Sequence, residues 1–201
     1  MTLALAMSPT SQFQTRYGSL SNSELELIAL KQSAILPPEA LRALRKELDR
    51  RGLSKTIRRG IEAQVRQWSK DDLATFIEQY RHRPCPRCGV QGKTLNGVVA
   101  AVARSFLVTS TVRTEFLVGC SRCIKTELER LSNQSLLFGW WGIPWGPVYT
   151  IRALAINSKA KAAAAGAEPT PELCNYIASN LGEIAADTRS IHRSTHRIRL
   201  R

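Results

Sequence analysis

Two Cys-x-x-Cys pairs, Cys85/Cys88 and Cys120/Cys123, restrict the fold of this chain more than any other feature. Thiolates at this spacing can face one metal ion from a tight turn, and a second pair completes a tetrahedral set of four sulfurs. Gly89 follows the first pair and can take a positive φ, which turns backbone N–H groups toward the sulfurs. The spacing predicts one structural Zn²⁺ bound by all four thiolates, with no coordination position left for catalysis.

Redox chemistry is the main alternative use of these cysteines, because Cys-Pro-x-Cys also occurs in thiol-exchange sites. Two pairs that flank a strand-like segment favour metal instead. The chain begins without the basic start and long apolar run of a secretory signal, so we expect a cytoplasmic protein with reduced thiols. Cys174 stands alone and is expected to be a small buried residue, not a ligand.

The sequence before the cysteines predicts short amphipathic helices. Ser21 begins a capping-box pattern, Pro38 suits a first helical turn, and Gly52 is a stop signal. Further helices are predicted after the second pair. The expected order is a flexible N-terminus, a helical module, a zinc ribbon with a Trp-rich hairpin, a linker, a C-terminal helix and a basic tail. These segments are expected at residues 1–18, 19–82, 83–158, 159–170, 171–186 and 187–201.

The segment between the cysteine pairs, Thr94–Gly119, is rich in valine and phenylalanine. This composition favours two or three strands, and with the cysteines it predicts a zinc ribbon. A transmembrane helix over 98–118 is the alternative, which Arg104 and Arg113 make costly. The chain is therefore predicted to be an α+β protein, mainly helical, with a small Cys₄ zinc-ribbon β element in the middle.

A tryptophan-glycine-proline run occupies Gly139–Pro147 and contains three of the four tryptophans. Its prolines and glycines exclude a regular helix. Three interpretations stay open: an interfacial or re-entrant membrane element, a turn that is buried or contacts a protein, and a stacking platform for bases. Basic residues on both sides of the run favour a hairpin held at the cytoplasmic face over a full span. The predicted contact residues are Trp140, Trp141, Ile143 and Trp145.

The chain is strongly basic, with a formal net charge of +13. Residues 42–70 hold ten Lys/Arg against three acidic residues, and the tail 187–201 holds five arginines. Such an excess suits an anionic membrane surface or nucleic acid, although a solvated helix face also explains such clusters. The predicted contacts to an anionic surface are Arg42, Arg45, Arg50, Arg51, Arg58, Arg59, Arg87 and Arg122.

The run Gly139–Pro147, placed after a zinc ribbon and a helix and before Tyr149-Thr150-Ile151 and Asn157, resembles a group of largely uncharacterised bacterial proteins. These are similar small zinc-ribbon proteins with a hydrophobic, membrane-associated hairpin, and the resemblance covers residues 85–158. Glu24–Gly52 is similar to short helical modules attached to bacterial membrane proteins. The resemblance implies an architecture and gives no reaction.

No catalytic grouping stands out, because His82, His192 and His196 form no Ser–His–acid pattern and no paired carboxylates suggest acid–base chemistry. We therefore expect a non-catalytic adaptor with no small-molecule substrate. Its hairpin would contact the cytoplasmic membrane face, as a peripheral or re-entrant protein of the inner membrane, or a protein partner. The alternative is a nucleic-acid-binding zinc-ribbon protein that uses its basic helices and the arginines beside the cysteines.

Overall fold

A computed structural model describes residues 9–107 and 109–186. In these ranges, helices predominate and two antiparallel strands lie between the cysteine pairs, which confirms the predicted mainly helical chain with a small β element. The described residues form two compact units. The first contains the residues up to Trp68 and those from Ser179 onward, and the second contains the residues from Ser69 to Ala178. The predicted basic tail, 187–201, lies outside the described residues.

The first unit is entirely helical. Its helices are α1 (Pro9–Ser19), α2 (Asn22–Lys31), α3 (Pro38–Arg50), α4 (Ser54–Val65) and α9 (Leu181–Ala186), with a short 3₁₀ turn at Ser33–Ile35. The predicted capping box is confirmed, since the Ser21 hydroxyl accepts from the Glu24 N–H and the Glu24 carboxylate accepts from the Ser21 N–H. Gly52 ends α3 with the positive φ of 72° that favours glycine at this position.

Apolar faces of these helices form the core of the first unit, in which Leu25, Leu44 and Leu48 are fully buried. The N-terminal segment differs from the prediction, because residues 9–18 belong to α1 instead of a flexible end. Tyr17 explains the difference, since it is buried in the same core. Residues 1–8 lie outside the described part of the chain.

The C-terminal segment 171–186 also differs from the prediction of one helix. It forms α8 (Pro171–Ser179) in the second unit and α9 in the first. α9 packs on α4, where two glycines allow close approach: a Cβ on Gly60 would lie only 2.5 Å from the carbonyl oxygen of Gly182. The short α9 therefore completes the first unit through backbone proximity that larger residues would prevent.

The second unit is a β-hairpin covered by helices. Its elements are α5 (Lys70–Arg81), β1 (Leu95–Phe106), β2 (Thr109–Cys120), α6 (Ser121–Phe138), α7 (Trp145–Ala165) and α8. The strands pair antiparallel, with Leu95 opposite Cys120 and Phe106 opposite Thr109. Both α6 and α7 pack on β1. No helix in the described ranges combines the length and the apolarity needed to cross a membrane.

The alanine-rich stretch in the predicted linker 159–170 is helical as far as Ala165, where α7 ends. Alanine has the highest helix propensity, and Ala160 and Ala164 are buried in the core with Val98 and Leu128. Packing therefore extends the helix beyond the point that composition indicates. Only the residues between α7 and α8 connect two elements.

Side chains occupy the edge of β1 that β2 leaves free. The Asn157 side chain accepts from the Ala101 N–H and donates to the Ala101 carbonyl, both at 2.8 Å. The Ser135 hydroxyl accepts from the Ala103 N–H at 3.0 Å, and the Arg81 guanidinium donates to the Leu95 carbonyl at 3.2 Å. These contacts supply hydrogen bonds that a third strand would otherwise make.

Candidate metal centre and exposed apolar surface

The two cysteine pairs meet at one end of the β-hairpin in the second unit. The Sγ atoms of Cys85, Cys88, Cys120 and Cys123 all lie within 4.8 Å of one another. The Cys88 and Cys120 sulfurs are 3.9 Å apart, close to the roughly 3.8 Å edge of a tetrahedron with Zn–S bonds of about 2.3 Å. The structure therefore brings the four predicted ligands together in a cluster that could bind a metal ion such as zinc.

A tight turn positions the first pair. The Gly89 N–H donates to the Cys85 carbonyl at 2.8 Å, and the Cys85 N–H donates to the Val90 carbonyl at 3.0 Å. Gly89 has a φ of 69°, so the predicted positive φ is confirmed. This geometry needs glycine because a Cβ is unfavourable in the left-handed region.

The second pair uses a helix N-terminus where the first uses a glycine turn. Cys120 is the last residue of β2 and the N-cap of α6, and Cys123 lies in the first turn of that helix. The Cys120 N–H donates to the Cys85 sulfur at 3.3 Å, which ties the two pairs together. The end of β2 and the first turn of α6 thus position Cys120 and Cys123 without a glycine turn.

The thiols differ in how easily they lose a proton. Burial opposes ionisation of Cys85, yet hydrogen bonds from the backbone N–H groups of Cys120, Arg87 and Cys88 lower its pKa to about 7. Burial, hydrogen bonds with Cys88 and Cys120, and nearby thiolate charge raise the pKa of Cys123 to about 12. Crowded sulfurs cannot all ionise unaided, and a divalent cation supplies the charge that stabilises four thiolates together.

Basic side chains surround this cluster. Arg87, Lys93 and Arg122 line an open cleft beside the sulfurs, and the Arg87 guanidinium lies 3.5 Å from the Glu127 carboxylate. Four thiolates around Zn²⁺ carry a net charge of −2, which nearby cations offset. Arg87 and Arg122, predicted as anion contacts, would also offset this charge if the cluster binds a metal ion. Cys174 is not part of the cluster.

The Trp-rich run begins as a turn between α6 and α7, but Trp145, Gly146 and Pro147 form the first turn of α7, so the run is helical at its end where no regular helix was expected. Its glycines face inward, since Gly139, Gly142 and Gly146 are buried, whereas its large apolar residues are exposed. Ile143 is 86% exposed and Trp141 is 70% exposed. The four predicted contact residues, Trp140, Trp141, Ile143 and Trp145, all lie on the exposed side. The turn is thus not a buried core element.

Neighbouring elements extend this exposed surface beyond the predicted residues. Phe106 and Leu107 at the β1–β2 turn are 77% and 69% exposed. The end of α6 and the start of α7 add further exposed side chains: Leu136, Leu137, Phe138, Val148 and Ile151. We call all these residues, with the four predicted contacts, the apolar tip. A sequence signal for it exists, because residues 105–112 and 135–151 contain no charged side chain.

The predicted anionic-surface contacts of the first unit have different environments. Arg42, Arg45 and Arg50 are exposed on α3, and Arg58 and Arg59 are exposed on α4. Three of them form ion pairs, namely Arg42 with Glu39, Arg50 with Glu47 and Arg58 with Asp49. Arg51 is half-buried and also pairs with Glu47, and its guanidinium donates to the carbonyls of Tyr17, Gly18 and Leu20 around the end of α1.

No family model, curated protein or solved structure matches this chain. Its function is therefore inferred from two features of the second unit, the cysteine cluster and the apolar tip. His82 is exposed, and its Nε2 lies 3.1 Å from the Glu78 carboxylate. His192 and His196 lie outside the described residues.

Proposed function

We propose that this protein is a non-catalytic adaptor that binds the membrane–water interface through its Trp-rich turn. The observation that carries the proposal is the exposure of Trp140, Trp141, Ile143 and Trp145 in a run without charges. Monomeric proteins rarely expose contiguous apolar surface of this kind without a binding partner. Indole rings favour the headgroup level of a bilayer, where one part of the ring is apolar and the N–H is wet.

In this proposal the cysteine cluster holds one structural Zn²⁺, and the β element is a zinc ribbon. All four cysteines act as ligands, so the metal would stabilise the base of the hairpin and would offer no open position to a substrate. α6 starts at this centre and ends at Phe138, and the Trp-rich turn begins at the next residue, Gly139. The metal would therefore fix the base of the helix that carries the turn.

Charge favours a lipid surface over an apolar groove of a protein. The first charged residue after the turn is Arg152, and the hairpin residues that precede and follow the charge-free segment 105–112 are Arg104 and Arg113. All three are exposed and basic. A cytoplasmic leaflet that contains anionic lipid attracts such residues, whereas an apolar groove gives them no specific partner.

The proposal is tested by flotation with vesicles of phosphatidylcholine that contain phosphatidylglycerol. Ile143→Ser should weaken partitioning about tenfold, since it removes a large apolar side chain from the contact. Ile35→Ser is a matched control, because Ile35 is 81% exposed in the first unit, compared with 86% for Ile143. It should bind like the wild type.

Wild-type protein that does not bind these vesicles would overturn the proposal, as would equal effects of the two substitutions on partitioning.

The second candidate function, nucleic-acid binding, rests on Arg45 and Arg59, which are exposed and form no ion pair within the described residues. Strong, salt-sensitive binding to duplex DNA or RNA, lost in Arg45→Gln with Arg59→Gln and unaffected by Ile143→Ser, would favour that candidate.

A further inference from the structure

The β1–β2 turn carries large apolar side chains where hairpins usually have polar residues or glycine. Phe106 and Leu107 are both mostly exposed, and Leu107 has a φ of 49°. Asn, Asp or Gly is the common choice for a hairpin residue with positive φ. Leucine in this conformation is strained, so its presence is not explained by the turn itself.

This turn lies directly against the Trp-rich turn. A Cβ on Gly142 would lie 3.0 Å from the Ser105 Cβ and would clash with the Ser110 hydroxyl. A Cβ on Gly146 would lie 3.2 Å from the Ser105 hydroxyl. Ser105 and Ser110 face each other across the hairpin next to its turn. The glycines therefore let the two turns touch, and the exposed side chains of both belong to one surface.

Charge around the β1–β2 turn is of one sign. Arg104 precedes the apolar turn on β1 and Arg113 follows it on β2, and both are exposed. They lie on the same face of the hairpin, because Arg104 pairs with Thr111 and Arg113 pairs with Val102. Together with Arg152 on α7 they border the apolar tip with positive charge. No acidic residue occurs in residues 104–113 or 135–152.

We propose that Phe106 and Leu107 form a second membrane-inserting loop, which enters an anionic phospholipid bilayer beside the Trp-rich turn while Arg104, Arg113 and Arg152 contact lipid phosphates. This inference rests on the proposed function and adds the second loop and the contacts of the three arginines with lipid phosphates. Two adjacent apolar loops bury more surface than one, and the arginines hold the insertion at the headgroup level.

Hydrogen exchange of the wild-type protein, with and without the mixed vesicles of phosphatidylcholine and phosphatidylglycerol, tests the position of the second loop. We expect vesicles to slow exchange in peptides that cover 104–111 as well as in those that cover 139–147. Protection of 139–147 alone would overturn the second loop and leave the proposed function standing. Absence of vesicle binding would instead overturn the proposed function, so the two failures are distinguishable.

Substitution measures the contribution of the second loop. Phe106→Ser combined with Leu107→Ser should weaken partitioning at least tenfold. Leu27→Ser combined with Ile35→Ser is the control, because both of its residues are exposed apolar side chains in the first unit. Circular dichroism and metal content should match the wild type for both proteins. A folded Phe106/Leu107 variant that partitions like the control would overturn the inference.

The lipid class is tested separately by removing the basic border. Replacing Arg104, Arg113 and Arg152 by Gln should reduce the preference for mixed vesicles over pure phosphatidylcholine by about fivefold for each arginine. Salt should have the same effect on the wild type. A charge-matched control replaces three exposed basic residues elsewhere, namely Arg16, Lys70 and Lys125. Equal loss of preference in both triple variants would overturn the assignment of these arginines to lipid phosphates.

Discussion

At the residue scale, Glu47 shows how a charged cluster on α3 is used for folding. Its carboxylate accepts hydrogen bonds from the Arg50 guanidinium at 2.8 and 2.6 Å and from the Arg51 guanidinium at 2.6 Å. Arg51 in turn binds the carbonyl groups at the end of α1. The sequence alone indicates that Arg50 and Arg51 are basic surface residues. The hydrogen bonds of Arg51 show that it instead contributes to the packing of α1 on α3.

Glu47 is predicted to make the first unit sensitive to acid. The hydrogen bond with Arg50 is the main cause that lowers the pKa of Glu47 from 4.5 to about 2. Because the folded-state pKa is below the unfolded value, this stabilisation is complete above pH 4.5 and is lost as the pH falls toward 2. Glu47→Gln should therefore lower the melting temperature at neutral pH, and its difference from the wild type should shrink across that window.

Thermal unfolding followed by circular dichroism across this pH range checks the prediction. Glu62→Gln is a suitable control, because Glu62 is exposed on α4 and forms no ion pair within the described residues. It should change the melting temperature little at any pH. If the melting temperature of Glu47→Gln stays below that of the wild type by the same amount down to pH 2, packing and not ionisation accounts for the effect of the substitution.

At the scale of elements, the free edge of β1 is protected by side chains of helices. An open strand edge invites pairing with another chain, and proteins usually cover or interrupt it. Here Asn157 on α7 satisfies both backbone groups of Ala101, and Ser135 on α6 satisfies the N–H of Ala103. The two helices thereby fix their position along the hairpin, which also places the Trp-rich turn next to the β1–β2 turn.

Asn157→Ala is predicted to destabilise the second unit by about 2–4 kcal/mol, because it leaves a buried donor and a buried acceptor of Ala101 unpaired. Asn133→Ala is the matched control on α6, where the side chain is exposed. Its effect should stay within about 0.5 kcal/mol. Urea denaturation gives both values. Equal stability of the two variants would mean that water replaces the Asn157 side chain at the strand edge.

At the scale of the whole molecule, metal binding is predicted to decide whether the second unit keeps its structure. Cys88 offers a sharp test because it is exposed, so Cys88→Ser removes a sulfur without leaving a cavity. Loss of a structural zinc site removes binding free energy on the order of 10 kcal/mol from the folded state. Cys88→Ser should therefore lose the metal and expose residues 85–123 to hydrogen exchange, as should a chelator added to the wild type.

Metal content by mass spectrometry and hydrogen exchange measure this outcome together. Cys174→Ser is the control, because Cys174 is a half-buried cysteine outside the cluster. It should keep one zinc ion per chain. A Cys88→Ser protein that also retains one zinc ion, with unchanged exchange over 85–123, would contradict a four-cysteine structural site.

Features that depend on short spacings could be predicted before the structure was known. The Cys-x-x-Cys pairs, the capping box at Ser21 and the stop at Gly52 are local, because their hydrogen bonds and dihedral angles involve residues a few positions apart. The strand character between the pairs also follows from nearby composition, whereas composition left open whether the Trp-rich run is exposed or buried. These parts of the fold and of the candidate site were therefore predictable.

Contacts between distant segments could be identified only from the three-dimensional packing. Composition could not predict that Ser105 lies against Gly142, that Asn157 hydrogen-bonds Ala101, or that α9 packs on α4 at Gly60. Each of these contacts joins residues far apart in the chain. Such contacts depend on how helices and strands pack in three dimensions. Packing also brings the β1–β2 turn against the Trp-rich turn, so that both contribute to one exposed surface. It likewise places the Arg51 guanidinium on the carbonyls at the end of α1, where the sequence indicated only a surface charge.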